Sequence, residues 1–114
     1  MARKKAGALA APFQGRWRVV EMDEWDEEAR DLVEPAFIRF DGEDGEMRFI
    51  AVVASLDVRY GARGGSPIAE FSWEVYEGDQ RSGRGWAEVG TAGRPVGHIL
   101  FHNGDDSGFV CERW

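Results

Sequence analysis

Lysine is nearly missing from this chain of 114 residues, and its two copies, Lys4 and Lys5, stand beside Arg3 at the very start. Every later cation is an arginine, 11 of them facing 21 carboxylates. A body so acidic repels phosphates, which argues against nucleic-acid binding by the folded part and leaves the basic tail only a weak, salt-sensitive attraction. An all-arginine cation set suits bidentate recognition of carboxylates, but a GC-rich genome yields the same composition and is the simpler reading. Cysteine is down to one, Cys111, so no intrachain disulfide can form, and the expectation is a cytoplasmic protein. Long apolar runs are lacking as well. The stretch from Ala6 to Ala11 is broken by Gly7 and is far shorter than a secretory core or a membrane span, so no membrane partner is expected. A Walker loop, a dinucleotide fingerprint and a Cys/His cluster are also missing, and neither a metal nor another cofactor is expected.

Residues 1–12 show neither strand nor helix periodicity and read as a disordered basic tail; residues 13–114 read as a single β-barrel domain. A domain of about a hundred residues can bury one core without staples. From Arg16 to Met22 the residues alternate, with Trp17 and Val19 on one face and Arg16, Arg18 and Val20 on the other, as in a half-buried strand. Asp23 to about Val33 then reads as a short amphipathic helix capped by Asp23 and ended by Pro35. Beyond it come strands and turns: 36–40, a turn at Asp41 to Gly45, a long run from Glu46 to Tyr60, then 68–76, 84–89, 96–102 and 108–113. Within the long run, Phe49 to Ala54 does not alternate, which implies cover on both faces, the inner by the core and the outer by a helix or by the second subunit of a homodimer. Loops this short leave no room for parallel crossovers, so the expected fold is mainly β: an antiparallel meander barrel of 7–8 strands with one short helix after the first. Alternation makes Trp17, Phe40, Phe49, Phe71, Trp73, Trp86, Phe101 and Phe109 the inward candidates. So many rings would fill a barrel of about eight strands and leave at most a shallow pocket at one mouth, under the helix.

The segment from His98 to Phe109 gathers two histidines, two aspartates and a serine. His98 and His102 lie four apart on one strand face, about 13 Å at their backbones, too far for one metal ion with bonds of about 2 Å. Asn103 to Gly108 has the residues a hairpin loop needs, so a turn is the first reading. The sharper one pairs His102 with Asp105 or Asp106 as acid and base, with Ser107 as a nucleophile that no elbow or oxyanion motif supports. Asp41 to Glu46 is rich in oxygen ligands but lacks calcium-loop spacing. Trp73 and Trp86 read first as core. The alternative has one of them floor a pocket with Glu70, Glu74 and Arg84 at its rim, suited to a small polar or cyclic ligand.

The Gly15-Arg16-Trp17 start, the following helix and Arg113 on the last strand resemble small barrels of the lipocalin and fatty-acid-binding type, the calycins. That resemblance implies a barrel in which Trp17 packs beneath Arg113, a structural clasp tying the last strand to the first. Three segments together, Gly15-Arg16-Trp17 through Glu21 to Asp26, Glu70 to Trp73 with Gly83 to Trp86, and Phe101-His102 with Gly104 to Phe109, are similar to a family of small uncharacterised bacterial proteins and imply no activity. The functional expectation is a non-enzymatic binding module for a small ligand or a protein partner. Its alternative is a small hydrolase or isomerase using His102 with Asp105 or Asp106.

Overall fold

A computed structural model describes residues 7–114. Eight antiparallel strands close into a barrel in chain order: β1 Gly15–Met22, β2 Phe37–Asp41, β3 Asp44–Phe49, β4 Val52–Arg63, β5 Ser66–Val75, β6 Ser82–Val89, β7 Pro95–Phe101 and β8 Asp106–Arg113. β1 pairs with both β2 and β8, which completes the ring and leaves no unpaired edge. A bulge between Val19 and Glu21 shifts the register of β1 by one residue. It is the reason Met22, not Glu21, follows Trp17 and Val19 into the core.

The eighth strand comes from the long apolar run. Phe49 closes β3, Val52 opens β4, and Ile50 and Ala51 form the turn between them. The lack of alternation therefore marks a reversal of the chain and not a strand covered on both faces, and it no longer points to a second subunit. The turn was hidden because it contains neither glycine nor asparagine: Ile50 itself takes φ 56°, an unusual conformation for a β-branched residue. Its amide donates to the Arg30 carbonyl at 2.7 Å.

The helix is shorter than its periodicity suggests. Only α1, Glu27–Arg30, is helical, and its cap is Asp26, whose Oδ1 accepts from the Ala29 amide at 3.0 Å. Asp23 instead accepts from the Gly108 amide at 3.1 Å, extending the β1–β8 junction, while Leu32 and Val33 are exposed. The segment is pinned by Arg30, a buried arginine that donates from Nη1 to the Val20 carbonyl at 2.8 Å and pairs through Nε with Asp31 at 3.2 Å. Burial would raise the pKa of Asp31, but the Ala36 amide and the guanidiniums of Arg30 and Arg18 outweigh it and hold the carboxyl below its ordinary value. A depressed native pKa means that the unfolded chain takes up the proton more readily. The resulting stability is complete above the ordinary value of 3.8 and is lost as pH falls through the lower native one. Asp31→Asn is expected to lower the unfolding free energy measured in urea at neutral pH by about 1 kcal/mol and to converge on the parent in strong acid. An equal difference at both pH values would contradict this account.

The expected tail divides. Arg3, Lys4 and Lys5 lie outside the described residues. Residues 7–12, by contrast, are not a free tail: a turn leads into a short 3-10 helix, Ala11–Phe13, and both Ala10 and Phe13 are fully buried. Phe13 sits 5.8 Å from the Phe40 ring and 6.0 Å from that of Tyr60. Gln14 then donates to the Tyr60 hydroxyl at 2.9 Å and accepts from the Gly42 amide at 2.7 Å. This segment plugs the end of the barrel where the chain begins, so the ordered domain starts before residue 13.

Candidate functional site

The Trp17 indole is buried at the plugged end. Its Nε1 donates to the Phe13 carbonyl at 2.7 Å, and the Arg113 guanidinium lies 4.0 Å over its ring. Trp17 and Arg113 are also register partners across β1 and β8, so the clasp joins the two strands that close the barrel. With that end sealed, access to the interior is from the other mouth, ringed by the residues after β1, the 50–51 turn, the loop between β5 and β6 and the turn between β7 and β8.

The interior wall alternates very large side chains with none. Phe71 faces Gly85, Trp73 faces Gly83 and Phe109 faces Gly97 across neighbouring strands. A Cβ built on Gly85 or Gly97 would lie 2.6 or 2.7 Å from the facing ring. These glycines occupy inward positions of β6 and β7, which turns Trp86 outward. Trp86 is therefore a correction to the inward set, half-buried on the outer wall, where it stacks on His98 at 6.3 Å and carries Arg63 at 5.2 Å over its ring. Of the other inward candidates, Trp17, Phe40, Phe49, Phe71, Trp73 and Phe109 are buried, and Phe101 is half-buried at the mouth.

At that mouth the chain leaving β1 folds back. Trp25 lies across the opening, 5.8 Å from Phe49 and 6.1 Å from Phe101, and Phe101 meets Trp73 edge-on at 4.9 Å. Between Trp25, Phe101, Ile50, Val52 and Val75 is a cavity of about 530 Å³, with Glu77, Asp79, Arg81 and Asp105 also lining it. No family model, curated protein or solved structure matches the chain. The site must therefore be judged on its own geometry.

A second concavity of about 940 Å³ runs across the outer wall of β4 to β7. It contains Trp73, Glu74, Arg84 and His102, four of the eight candidates from the sequence, together with Ser55, Ser72 and Ser82. Trp73 reaches it only from behind: it is a core residue whose Nε1 donates to the Leu100 carbonyl at 3.2 Å. Glu70 and Trp86 are register partners elsewhere on the wall. Asp105 joins the mouth, and Asp106 pairs with His98 at 2.5 Å.

The acid and base pairing expected of His102 does not form. His102 is exposed, with Nε2 3.3 Å from the Asn103 amide nitrogen, and among the described residues no carboxylate is in hydrogen-bond contact with it. Neighbouring Ser107 is fully buried: its hydroxyl accepts from the Glu24 amide at 3.1 Å and donates to the Gly108 carbonyl at 2.8 Å, which fixes the chain leaving β1. It joins strands and is not placed for attack. Cys111 is buried too, and desolvation pushes its thiol up to about 12, which keeps it protonated and unreactive at neutral pH.

Of the apolar mouth residues, sequence patterns mark only Phe101, as an inward candidate and not as part of a site, and Arg81 escapes as well. Trp25 reads as one more apolar position of a helix, Ile50 and Val52 as the middle of a strand, and Arg81 as part of a loop. The one available signal was an aromatic residue directly after a strand, flanked by acids and far from any core partner in sequence.

Proposed function

We propose that this chain is a non-enzymatic binding module, a calycin-like barrel that takes a small, largely apolar, ring-sized ligand at its open mouth. The observation that carries this reading is the mouth cavity itself: rings and aliphatic side chains form its walls, and four charged residues, Glu77, Asp79, Arg81 and Asp105, stand beside them, a combination by which ligand sites join affinity to orientation. Its volume falls within the range of about 300 to 1,000 Å³ common for such sites. The plugged opposite end and the Trp17–Arg113 clasp support the calycin likeness, and the filled interior restricts the ligand to the mouth. Ile50 adds a further support, because backbone strain of this kind collects where a binding surface must be held in shape.

The larger wall groove is the weaker host. Its serines, acids and Arg84 are open to water, so a ligand there would exchange one set of polar contacts for another with little net gain. A cytoplasmic setting, with its reducing conditions, accords with a lone buried thiol.

Titration with indole, a small neutral ring compound, followed by methyl NMR tests the reading. Shifts are expected at the methyls of Ile50, Val52 and Val75, and Trp25→Ala should weaken binding about tenfold, the loss of roughly 1.4 kcal/mol of ring contact. Shifts confined to Leu100 and its wall neighbours, or none at all, would defeat it.

A further inference from the structure

The charge on the mouth is one-sided, and its carboxylates are idle. Elsewhere on the barrel Asp31, Glu34, Glu46, Asp57 and Glu112 are each held by an arginine. Glu77, Asp79 and Asp105 line the mouth cavity, and among the described residues their side chains make no hydrogen bond or ion pair. The one cation beside them among the described residues, Arg81, does not go to them either. Its guanidinium lies 5.9 Å from the centre of the Phe101 ring.

The chain's own cation thus rests on an aromatic wall of the cavity. The electron-rich face of a ring attracts positive charge, and does so more strongly where water is partly excluded. Trp25 and Phe101 pack edge to face at 6.1 Å and both line the cavity, so a cation in it lies beside two rings without having to part them. Carboxylates at the rim add attraction of the same sign over a longer range. An anion would find three carboxylates against one guanidinium. A primary ammonium would meet another obstacle: its N–H groups find acceptors in the exposed carboxylates but none among Ile50, Val52 and Val75, so seating it against that apolar wall leaves donors unpaired, which is costly. Methyl groups on the nitrogen remove that obstacle and keep the charge.

We propose that the mouth recognises a small organic cation of the alkylated-ammonium class, held in the cavity against Trp25 and Phe101 and beside Glu77, Asp79 and Asp105. Arg81 occupies the position in the free protein and is displaced by the ligand. The proposal rests on the mouth being the binding site and adds the charge of what binds there.

The test compares choline with its uncharged carbon isostere, dimethylbutanol, which has the same shape without the positive nitrogen. Both are titrated into the full chain and followed by the methyls of Ile50, Val52 and Val75. Choline is expected to bind about tenfold more tightly than the alcohol. Asp79→Asn with Asp105→Asn should lower that ratio about threefold by weakening choline, whereas Arg81→Ala should tighten choline by about threefold. If the alcohol binds as well as choline while indole still binds at the mouth, cation recognition is overturned and mouth binding stands. If choline, the alcohol and indole all leave those methyls unmoved, both readings fall.

Discussion

Replacing Gly97 by alanine is expected to destabilise the barrel by about 3 kcal/mol or more, enough to unfold a large share of the chain if its total stability is ordinary. The added Cβ would stand 2.1 Å from the Trp86 carbonyl oxygen, 2.7 Å from the Phe109 ring and 3.0 Å from the Ala87 backbone. Two of those three neighbours are backbone atoms of β6, hydrogen-bonded to β7, so they cannot withdraw without breaking the ladder. Phe109 has nowhere to go because it is fully packed in the core. Urea unfolding of Gly97→Ala, with Gly61→Ala as control, measures the effect, since a Cβ on Gly61 meets nothing within 4 Å. Equal midpoints for the two variants would show that the interior has more slack than this geometry allows.

Trp17→Ala should be of similar size, about 4 kcal/mol, and for three separable reasons. It empties the volume of a buried indole, leaves the buried Phe13 carbonyl without the Nε1 donor, and removes the ring beneath Arg113. Trp17→Phe restores most of the volume but not the donor, and should recover about half of the loss. Arg113→Ala touches only the stack, from an exposed position, and should cost no more than about 1 kcal/mol. The order of thermal midpoints is therefore parent, Arg113→Ala, Trp17→Phe, Trp17→Ala. An Arg113→Ala protein with an unchanged midpoint would deny the clasp any part in stability and leave Trp17 as ordinary core.

Trp17 and Gly97 also show what can and cannot be read before folding. The strand from Arg16, the Gly15-Arg16-Trp17 opening and Arg113 were legible because each signal is local or sits at a chain end. The inward glycines were not. Alternation is read from apolar side chains, and where glycine fills the inward position it is the outward residue, Trp86, that looks like core. Only the register that sets Phe71 against Gly85 and Phe109 against Gly97 shows which of the pair is inside. The same limit hid the turn at Ile50, because positive φ at a β-branched residue is imposed by its surroundings and not by its own preference.

The candidate site followed suit. His102, Asp105 and Asp106 were close in sequence, but a strand end and a turn send them to the wall groove, the mouth and the outer face in that order. Trp25, Ile50, Val75 with Arg81, and Phe101 come from four separate parts of the chain and meet only where four connections converge at one end of the barrel.

By itself the sequence determined that the chain is mainly β, antiparallel, crowded with aromatic side chains and acidic over its body, because period, turn residues and charge are properties of neighbours along the chain. The tertiary structure decided that there are eight strands, that one end is plugged by the residues before Gly15, and that the other holds an aromatic cavity beside idle carboxylates. Those features depend on register and closure, which bring together residues whose spacing in the chain carries no sign of their meeting.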